Sequence, residues 1–303
     1  MFEKLFTNTG LSIVRLKIFC EIAAAKGISK AAKGTSNNQG HYSRELKRLE
    51  EFLEVRLFDR KGKGMQITDA GRQLLPVCKG FFKGMEILAG DFRHLPRKVV
   101  IGAGDSTHDW LVLPTLDGLK IILPNTTIEL INLRSAEVSS GVLEGDLDLG
   151  IVRESACSPE LGICKLGTLS YCLFVPKKLL SKANTTAPVE LLSKLPLARL
   201  AGDGEFNQML SKLANKKKIV LNTQLSCSSF PAMKEAVRRG YVAAVLPTIA
   251  DTDLGRAEFE KFDVDAFKIL NRPFALCYNK RLIGIRPYLE KALPKLKQLF
   301  SIH

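Results

Sequence analysis

The segment between Gly27 and Gly71 restricts the fold more than any other part of this chain. Residues 28–33 suit a short helix in which Ala31 and Ala32 allow close packing. Residues 34–36 form a Gly-Thr-Ser turn of the kind that joins two helices at a steep angle. The sequence therefore predicts two helices connected by a tight turn.

A second helix is expected directly after this turn, with Asn37 or Asn38 as its N-cap. Apolar residues recur in it at spacings of four, three and four, which places them on one buried face. The residues of this face are Tyr42, Leu46, Leu49 and Leu53. The opposite face, which is expected to be exposed, carries Gly40, Arg44, Lys47 and Glu51.

Two short strands are predicted after this helix, over residues 55–58 and 65–67. The connecting residues 59–64 have the sequence DRKGKG, a flexible cationic tip suited to phosphate or to the minor groove of DNA. Thr68 and Asp69 can cap a further helix. Two helices followed by a basic hairpin indicate a winged helix-turn-helix domain.

Polar side chains gather near the start of the second helix, where they can reach base edges while free backbone amides favour phosphate. We therefore predict that this helix reads double-stranded DNA. The alternative is a three-helix core fragment whose Lys and Arg side chains are only solvated. The residues predicted to contact DNA are Ser29, Lys30, Ser36, Asn38, Gln39, His41, Ser43, Arg44, Lys47, Arg60, Lys61 and Lys63.

Several ordered stretches of the amino-terminal region carry a family resemblance. They are Leu16 to Phe19, Ala31-Ala32, Asn38-Gln39, Ser43 to Leu46, Leu49-Glu50, Arg56 to Arg60 and Thr68 to Gly71. In these residues the chain resembles the LysR-type transcriptional regulators. The resemblance implies a homodimer or a dimer of dimers on a pseudo-palindromic DNA operator, and a two-lobed effector domain like that of periplasmic binding proteins. The turn and Asn38 depart from the family pattern, so the operator sequence does not follow from it.

Composition and charge agree with a partner that is nucleic acid. The formal net charge is +14, and residues 1–97 hold 18 Lys and Arg against 10 Asp and Glu. No stretch approaches the roughly 18 apolar residues that a membrane span needs, and the amino terminus lacks the apolar core of a signal peptide. The seven cysteines include no C-x-x-C pair, which argues against a disulfide framework or a zinc site. We expect a cytoplasmic protein without a metal, a cofactor or a membrane partner.

A single long helix is predicted from Thr68 to about Arg93. Its apolar residues alternate at spacings of four and three, as in a coiled-coil seam. A helix between domains has no core of its own to cover this stripe, so the same helix of a second subunit is the expected partner. The alternative is a core helix of the following domain. The predicted dimerisation residues are Leu74, Cys78, Phe81, Met85, Leu88 and Phe92.

From Val99 onward the pattern changes to alternating strands and helices. Predicted strands over residues 99–103, 127–133 and 147–152, with helices between them, indicate a parallel sheet. Ligands of such sheets bind beyond the carboxyl ends of the strands, where arginines and hydroxyls suit a carboxylate or another small anion. The alternative is that the arginines are solvated loop residues. The candidate effector-binding residues of this lobe are Ser106, Thr107, His108, Arg134, Ser135 and Arg153.

A second lobe is expected from about residue 166 to residue 265. A chain that crosses twice between two lobes implies a hinged cleft. Ser228 and Ser229 can supply further donors to it, and Cys227 beside them is either a redox sensor or an inert small hydrophobe. The predicted strands are 171–176, 197–200, 219–225, 240–247 and 273–279, and the predicted helices are 205–215, 231–239 and 287–300.

The expected fold class is thus α/β, with an amino-terminal winged helix-turn-helix domain of the all-α type. The predicted domains are a DNA-binding domain (1–67), a linker dimerisation helix (68–97) and an effector-binding domain (98–303) whose first lobe comprises about 98–165 and 266–303. No phosphate-binding loop and no hydrolase or metalloprotease motif occurs, so an enzyme is not expected. The predicted function is transcriptional regulation modulated by a small anionic effector. The alternative is a DNA-binding protein whose α/β domain serves only oligomerisation.

Overall fold

A computed structural model describes residues 11–32, 36–61, 64–93, 96–181, 183, 185, 187–253 and 258–302, without the side chains of residues 36, 37, 60, 61, 64, 91, 252 and 253. The chain divides into two compact units. Unit 1 comprises Met1–Arg97 with Gly284–Arg286, and unit 2 comprises Lys98–Ile283 with Pro287–His303. Each unit has its own cluster of buried apolar side chains.

Unit 1 is mainly helical. Its second long helix begins at Ser36, so Asn37 and Asn38 lie inside the first turn, and the prediction of either as N-cap is wrong. The elements in chain order are α1 (Ile13–Ala25), α2 (Ile28–Ala31), α3 (Ser36–Leu53), β1 (Phe58–Lys61), β2 (Gly64–Ile67) and α4 (Asp69–Phe92).

The hairpin of unit 1 is shifted along the chain relative to its prediction. Phe58 pairs with Ile67 and Lys61 pairs with Gly64, so the first strand starts at Phe58 and not at Val55. The antiparallel register leaves only residues 62–63 to join the strands, and these lie outside the described residues. The predicted cationic tip therefore belongs largely to the strands themselves.

The buried face of α3 is confirmed. Leu46 and Leu49 are buried beside Phe19 of α1, and Tyr42 and Leu53 pack against the same cluster. Because these side chains lie on one side of α3, packing on α1 turns the polar side of α3 outward.

The start of α4 is held tightly against the hairpin. Thr68 caps the helix as predicted, since its Oγ1 accepts a hydrogen bond from the Gly71 backbone N–H at 3.1 Å. A Cβ atom at Gly71 would lie only 2.5 Å from the Leu57 carbonyl oxygen. This close approach explains why a glycine follows the cap.

Unit 2 contains two five-stranded sheets, and we define lobe 1 and lobe 2 by them. Lobe 1 includes a helical segment that changes type along its length, with a π-helix at His108–Val112 and a 3-10 helix at Leu113–Thr115. The elements up to the first crossing are β3 (Arg97–Ala103), α5 (Asp105–Thr107), α6 (Leu116–Ile122), β4 (Thr126–Asn132), α7 (Ser135–Glu144), β5 (Leu149–Arg153) and β6 (Leu161–Leu169).

Lobe 2 follows directly, and the chain then returns to lobe 1. The elements of lobe 2 are β7 (Tyr171–Pro176), α8 (Lys177–Leu180), α9 (Pro188–Lys194), β8 (Leu197–Leu200), α10 (Glu205–Lys216), β9 (Thr223–Cys227), α11 (Phe230–Arg238), β10 (Ala243–Pro247) and β11 (Phe259–Phe262). The returning elements are β12 (Arg272–Asn279), α12 (Lys280–Ile283) and α13 (Pro287–Leu299), and 3-10 turns at Glu154–Ala156, Thr248–Asp253 and Asp265–Leu270 connect elements along the chain.

Both sheets are mixed, and for lobe 1 this corrects the prediction of a parallel sheet. The strand orders are β4-β3-β5-β12-β6 in lobe 1 and β11-β7-β10-β8-β9 in lobe 2. β3 runs parallel to β5, but β12 is antiparallel to both β5 and β6 because it enters the sheet from lobe 2. One continuous cluster of buried side chains extends from lobe 1 to lobe 2, so the two lobes share a core.

Candidate functional site

Polar contacts as well as apolar packing anchor α3 on α1. Arg15 Nε donates to Glu45 Oε2 at 2.7 Å, and Tyr42 Oη donates to Glu21 Oε2 at 2.6 Å. The hydrogen bond from Arg15 lowers the pKa of the Glu45 carboxyl group below its usual range. These two bridges fix the rotation of α3 about its own axis, and with it the residues that α3 exposes.

The side of α3 that faces away from α1 carries most of the residues predicted to contact DNA. Gln39 is half-buried, and the neighbouring α2 exposes two further candidates. The side chains of Ser36, Arg60 and Lys61 and the whole of Lys63 lie outside the described part of the chain. The exposed candidates are Asn38, His41, Ser43, Arg44 and Lys47 on α3, with Ser29 and Lys30 on α2.

A carboxylate ties α3 to the hairpin. Glu50 Oε1 accepts hydrogen bonds from the backbone N–H groups of Leu57 at 2.7 Å and Phe58 at 3.3 Å. The last turns of α3 thus hold the segment that leads into β1. The motif Leu49-Glu50 was visible in the sequence, but the partners of its carboxylate were not.

The stripe of α4 divides into a buried and an exposed part. Cys78 is only 1% exposed and belongs to the core of unit 1, which corrects its prediction as a dimerisation residue. Leu74 also packs against that core. The remaining predicted residues are exposed, with values of 43% for Phe81, 54% for Met85, 51% for Leu88 and 79% for Phe92.

Unit 2 contains a cleft of about 530 Å³ between its lobes. All of the predicted effector-binding residues except His108 line it: Ser106, Thr107, Arg134, Ser135, Arg153, Ser228 and Ser229. Arg134 is exposed and precedes α7, where its backbone N–H donates to Glu137 Oε2 at 3.0 Å. The cleft therefore brings together residues that are far apart in the sequence.

His108 is placed differently from its prediction. It is buried and does not line the cleft, and burial lowers the pKa of its imidazole. Cys227 lies half-buried at the end of β9. Burial raises the pKa of its thiol, which disfavours the reactive thiolate.

Of the three residues in the most densely charged part of the cleft, the sequence predicted only Arg153. Glu205, the first residue of α10, forms ion pairs with Arg153 and with Arg272, whose Nε lies 3.7 Å from Glu205 Oε1. Arg153 ends β5 and Arg272 begins β12, whereas Glu205 comes from lobe 2. No local pattern marks Arg272 or Glu205, because only the sheet and the lobe arrangement bring them together.

Aromatic side chains form one wall of the same cleft. The ring centroids of Tyr171 and Phe206 are 5.1 Å apart, and those of Phe206 and Phe230 are 5.0 Å apart. Burial raises the pKa of Tyr171 to about 12, although the charges of Arg272 and Arg153 oppose this shift. The cleft therefore offers guanidinium groups and hydroxyls beside an apolar surface, a combination that suits a small ligand with a polar and an apolar end.

Within the described residues no group of three or more His, Cys, Asp and Glu side chains is arranged to hold a metal ion. In the same part of the chain no helix is both long and apolar enough to cross a bilayer.

Comparisons with known families match both units. Residues 13–72 match the family described as bacterial regulatory helix-turn-helix protein, lysR family, and residues 93–283 match the LysR substrate binding domain. The "Probable RuBisCO transcriptional regulator" of Cyanidium caldarium is 24% identical over 279 residues, which cover 87% of this chain and 86% of that relative.

Solved structures share the fold. The full-length LysG of Corynebacterium glutamicum with bound effector Arg has a TM-score of 0.66 at 15% identity, covering 94% of this chain and 99% of that chain. The complex of full-length CbnR with its target DNA has a TM-score of 0.52 at 18% identity, covering 93% of this chain and 100% of that chain. Both solved chains therefore share the fold of this chain over nearly all of its length.

Proposed function

Because the chain belongs to the LysR family of DNA-binding transcriptional regulators, we propose that it binds its operator through unit 1 and adjusts this binding to a small anionic effector in the cleft of unit 2. Residues 1–67 are the DNA-binding domain, residues 68–97 the linker dimerisation helix and residues 98–303 the effector-binding domain. The protein acts in the cytoplasm, where it meets its operator, and it is not an enzyme.

The exposed side of α3 supports the reading of DNA in the major groove. Arg44 and Lys47 are exposed there, and the bridges from Arg15 and Tyr42 hold this side outward. Arg side chains pair with guanine edges and Gln with adenine edges, which assigns Gln39 and Arg44 to base contacts. The hairpin, fastened by Glu50, brings further positive charge to the phosphates.

The exposed stripe of α4 supports a homodimer. Phe81, Met85, Leu88 and Phe92 continue for three turns without burial in unit 1. An apolar seam of this length stabilises a pair of helices, and a two-fold pair presents two copies of α3 to the halves of a pseudo-palindromic operator. Dimers of this kind can associate further into a dimer of dimers.

The observation that carries the effector proposal is the cleft, whose lining includes the three arginines Arg134, Arg153 and Arg272. Guanidinium groups, with the hydroxyls of Ser106 and Thr107, suit an anion such as a carboxylate. LysG, which shares this fold, was solved with an effector bound. A cleft of about 530 Å³ has room for a small organic acid.

Calorimetry of the full-length protein against a panel of organic acids tests this proposal. At least one acid should bind to the wild type, and Arg153→Ala or Arg134→Ala should abolish this binding. Operator affinity without the acid should stay near the wild-type value, because unit 1 reads the DNA. A bound acid that leaves operator affinity unchanged would show that unit 2 serves assembly only. An acid bound equally well by both variants would exclude the cleft as its site.

A further inference from the structure

The charged centre of the cleft already holds a carboxylate, which belongs to the protein itself. Glu205 contacts Arg153 directly, and its Oε1 lies 3.7 Å from Nε of Arg272. The two guanidinium groups come from neighbouring strands of lobe 1, and the carboxylate comes from the first turn of α10 in lobe 2. The ion pair therefore spans the cleft from one lobe to the other.

Arg272 is the member of this cluster that most needs an anion. Its side chain is 9% exposed, and Nη1 donates to the carbonyl oxygens of Ile269 at 3.2 Å and Asn271 at 3.0 Å. Its Nη2 is buried and has no hydrogen-bond partner among the described residues. Burying a guanidinium group with an unused donor is costly. The site therefore favours an anion that lies closer to Arg272 than the Glu205 oxygen does and that accepts hydrogen bonds from more of its donors.

Glu205 is by contrast free to leave. Its side chain is 47% exposed, and it follows the exposed residues 201–204. Arg153, at 32% exposure, is within reach of solvent through the cleft. An incoming anion can therefore approach Arg153 while the Glu205 side chain moves into water.

From this geometry we infer that Glu205 is an internal competitor of the effector, and that the effector is a small carboxylate whose anionic group replaces the Glu205 carboxylate between Arg153 and Arg272. The inference rests on the proposed function and adds the residue that sets effector affinity. The aromatic wall of Tyr171, Phe206 and Phe230 then faces the apolar body of the ligand.

Competition by a tethered group has a defined effect on affinity. The apparent dissociation constant equals the intrinsic constant divided by the fraction of molecules in which the site is open. If Glu205 occupies the site in about nine of ten molecules, removing its charge strengthens carboxylate binding about tenfold. The same change releases the contact between the lobes.

The experiment uses sodium benzoate as the probe and the full-length protein, by calorimetry at constant ionic strength maintained with sodium chloride. Glu205→Gln should bind benzoate about tenfold more tightly than the wild type. Arg272→Gln should bind it at least tenfold more weakly. Asp203→Asn removes the same charge from an exposed position just before α10 that does not line the cleft, and it should match the wild type within about twofold.

Equal affinities of the wild type and Glu205→Gln would overturn the inference, as would an equal gain in Asp203→Asn or a lack of benzoate binding in all forms. A crystal structure of the wild type with benzoate provides a measurement that does not depend on a variant. It should show the benzoate carboxylate between the two arginines and Glu205 turned away, and an unmoved Glu205 would refute the inference. If benzoate follows the expected order but leaves operator affinity unchanged, the proposed function fails while this inference stands.

Discussion

The hydrogen bonds of Glu50 give a prediction whose size follows from the structure. Glu50→Ala leaves the N–H groups of Leu57 and Phe58 without their carboxylate acceptor. A hydrogen bond to a charged group contributes about 1.5–3 kcal/mol, and the second bond, at 3.3 Å, is the weaker of the two. Because the carboxylate is only half-buried, water replaces part of the loss. We expect unit 1 to lose about 2 kcal/mol of unfolding free energy.

Amide hydrogen exchange measures this loss in the full-length protein. A change of 2 kcal/mol corresponds to about 30-fold faster exchange at Leu57 and Phe58. Glu51→Ala is the matched control, because Glu51 lies on the exposed side and, among the described residues, its carboxylate pairs only with Lys47 at 3.6 Å, a contact of about 0.3–0.5 kcal/mol. The fluorescence of Trp110, the one tryptophan of the chain, reports on the unfolding of unit 2, and this unfolding should be the same in both variants. Equal acceleration in both variants would refute the role of Glu50.

Three further predictions concern DNA, assembly and pH. In anisotropy titrations at several salt concentrations, Gln39→Ala or Arg44→Ala should lower the binding free energy by about 1–3 kcal/mol on the operator but by little on random DNA, whereas Lys63→Ala should weaken binding to both alike. Equal losses for Gln39→Ala on both DNAs would contradict base reading by α3. Phe81→Asp or Met85→Asp should yield monomers in sedimentation, whereas the control Ile121→Asp, at an exposed position of unit 2, should stay dimeric. A wild type that is monomeric at high concentration would disprove the seam. Since burial raises the pKa of Tyr171 from 10.0 to about 12, its proton is held more strongly in the folded state, and unit 2 should lose up to about 1.4 kcal/mol of stability per pH unit between pH 10 and 12. Urea unfolding followed by Trp110 fluorescence at several pH values measures the slope of the unfolding free energy against pH, and Tyr171→Phe should lack this part of it. Identical slopes in the wild type and the variant would show that the phenol does not contribute.

Local patterns predicted much of the fold. The spacing of Tyr42, Leu46, Leu49 and Leu53 identified the buried face of α3 because a helix repeats every 3.6 residues. The strand at Leu197–Leu200 and the strand at Tyr171–Pro176 were also predicted with the bounds that the structure shows. These elements are apolar runs whose signal lies within a few neighbouring residues.

The elements that were missed depend on distant partners. β6 contains two glycines and alternates apolar with polar residues only imperfectly, yet it pairs with β12 over its whole length. The start of β1 is set by its register with β2, which placed Arg60 and Lys61 inside the strand. Cys78 fits a heptad pattern, but the packing of α4 on the core of unit 1 decides its burial. Arg272 and Glu205 are likewise joined only by the tertiary fold.

The two passages of the chain between the lobes lie beside the charged centre of the cleft. Ser170 joins β6 to β7, and Asn271 ends the return path to β12, so Tyr171 and Arg272 stand at the first positions after each passage. A rotation of one lobe relative to the other would use these two short segments as its hinge. A small change in the backbone torsion angles there displaces the far ends of both lobes by a much larger distance. Replacement of the Glu205 carboxylate by an effector carboxylate takes place beside these segments. A change at Arg272 can therefore alter the positions of both lobes of unit 2.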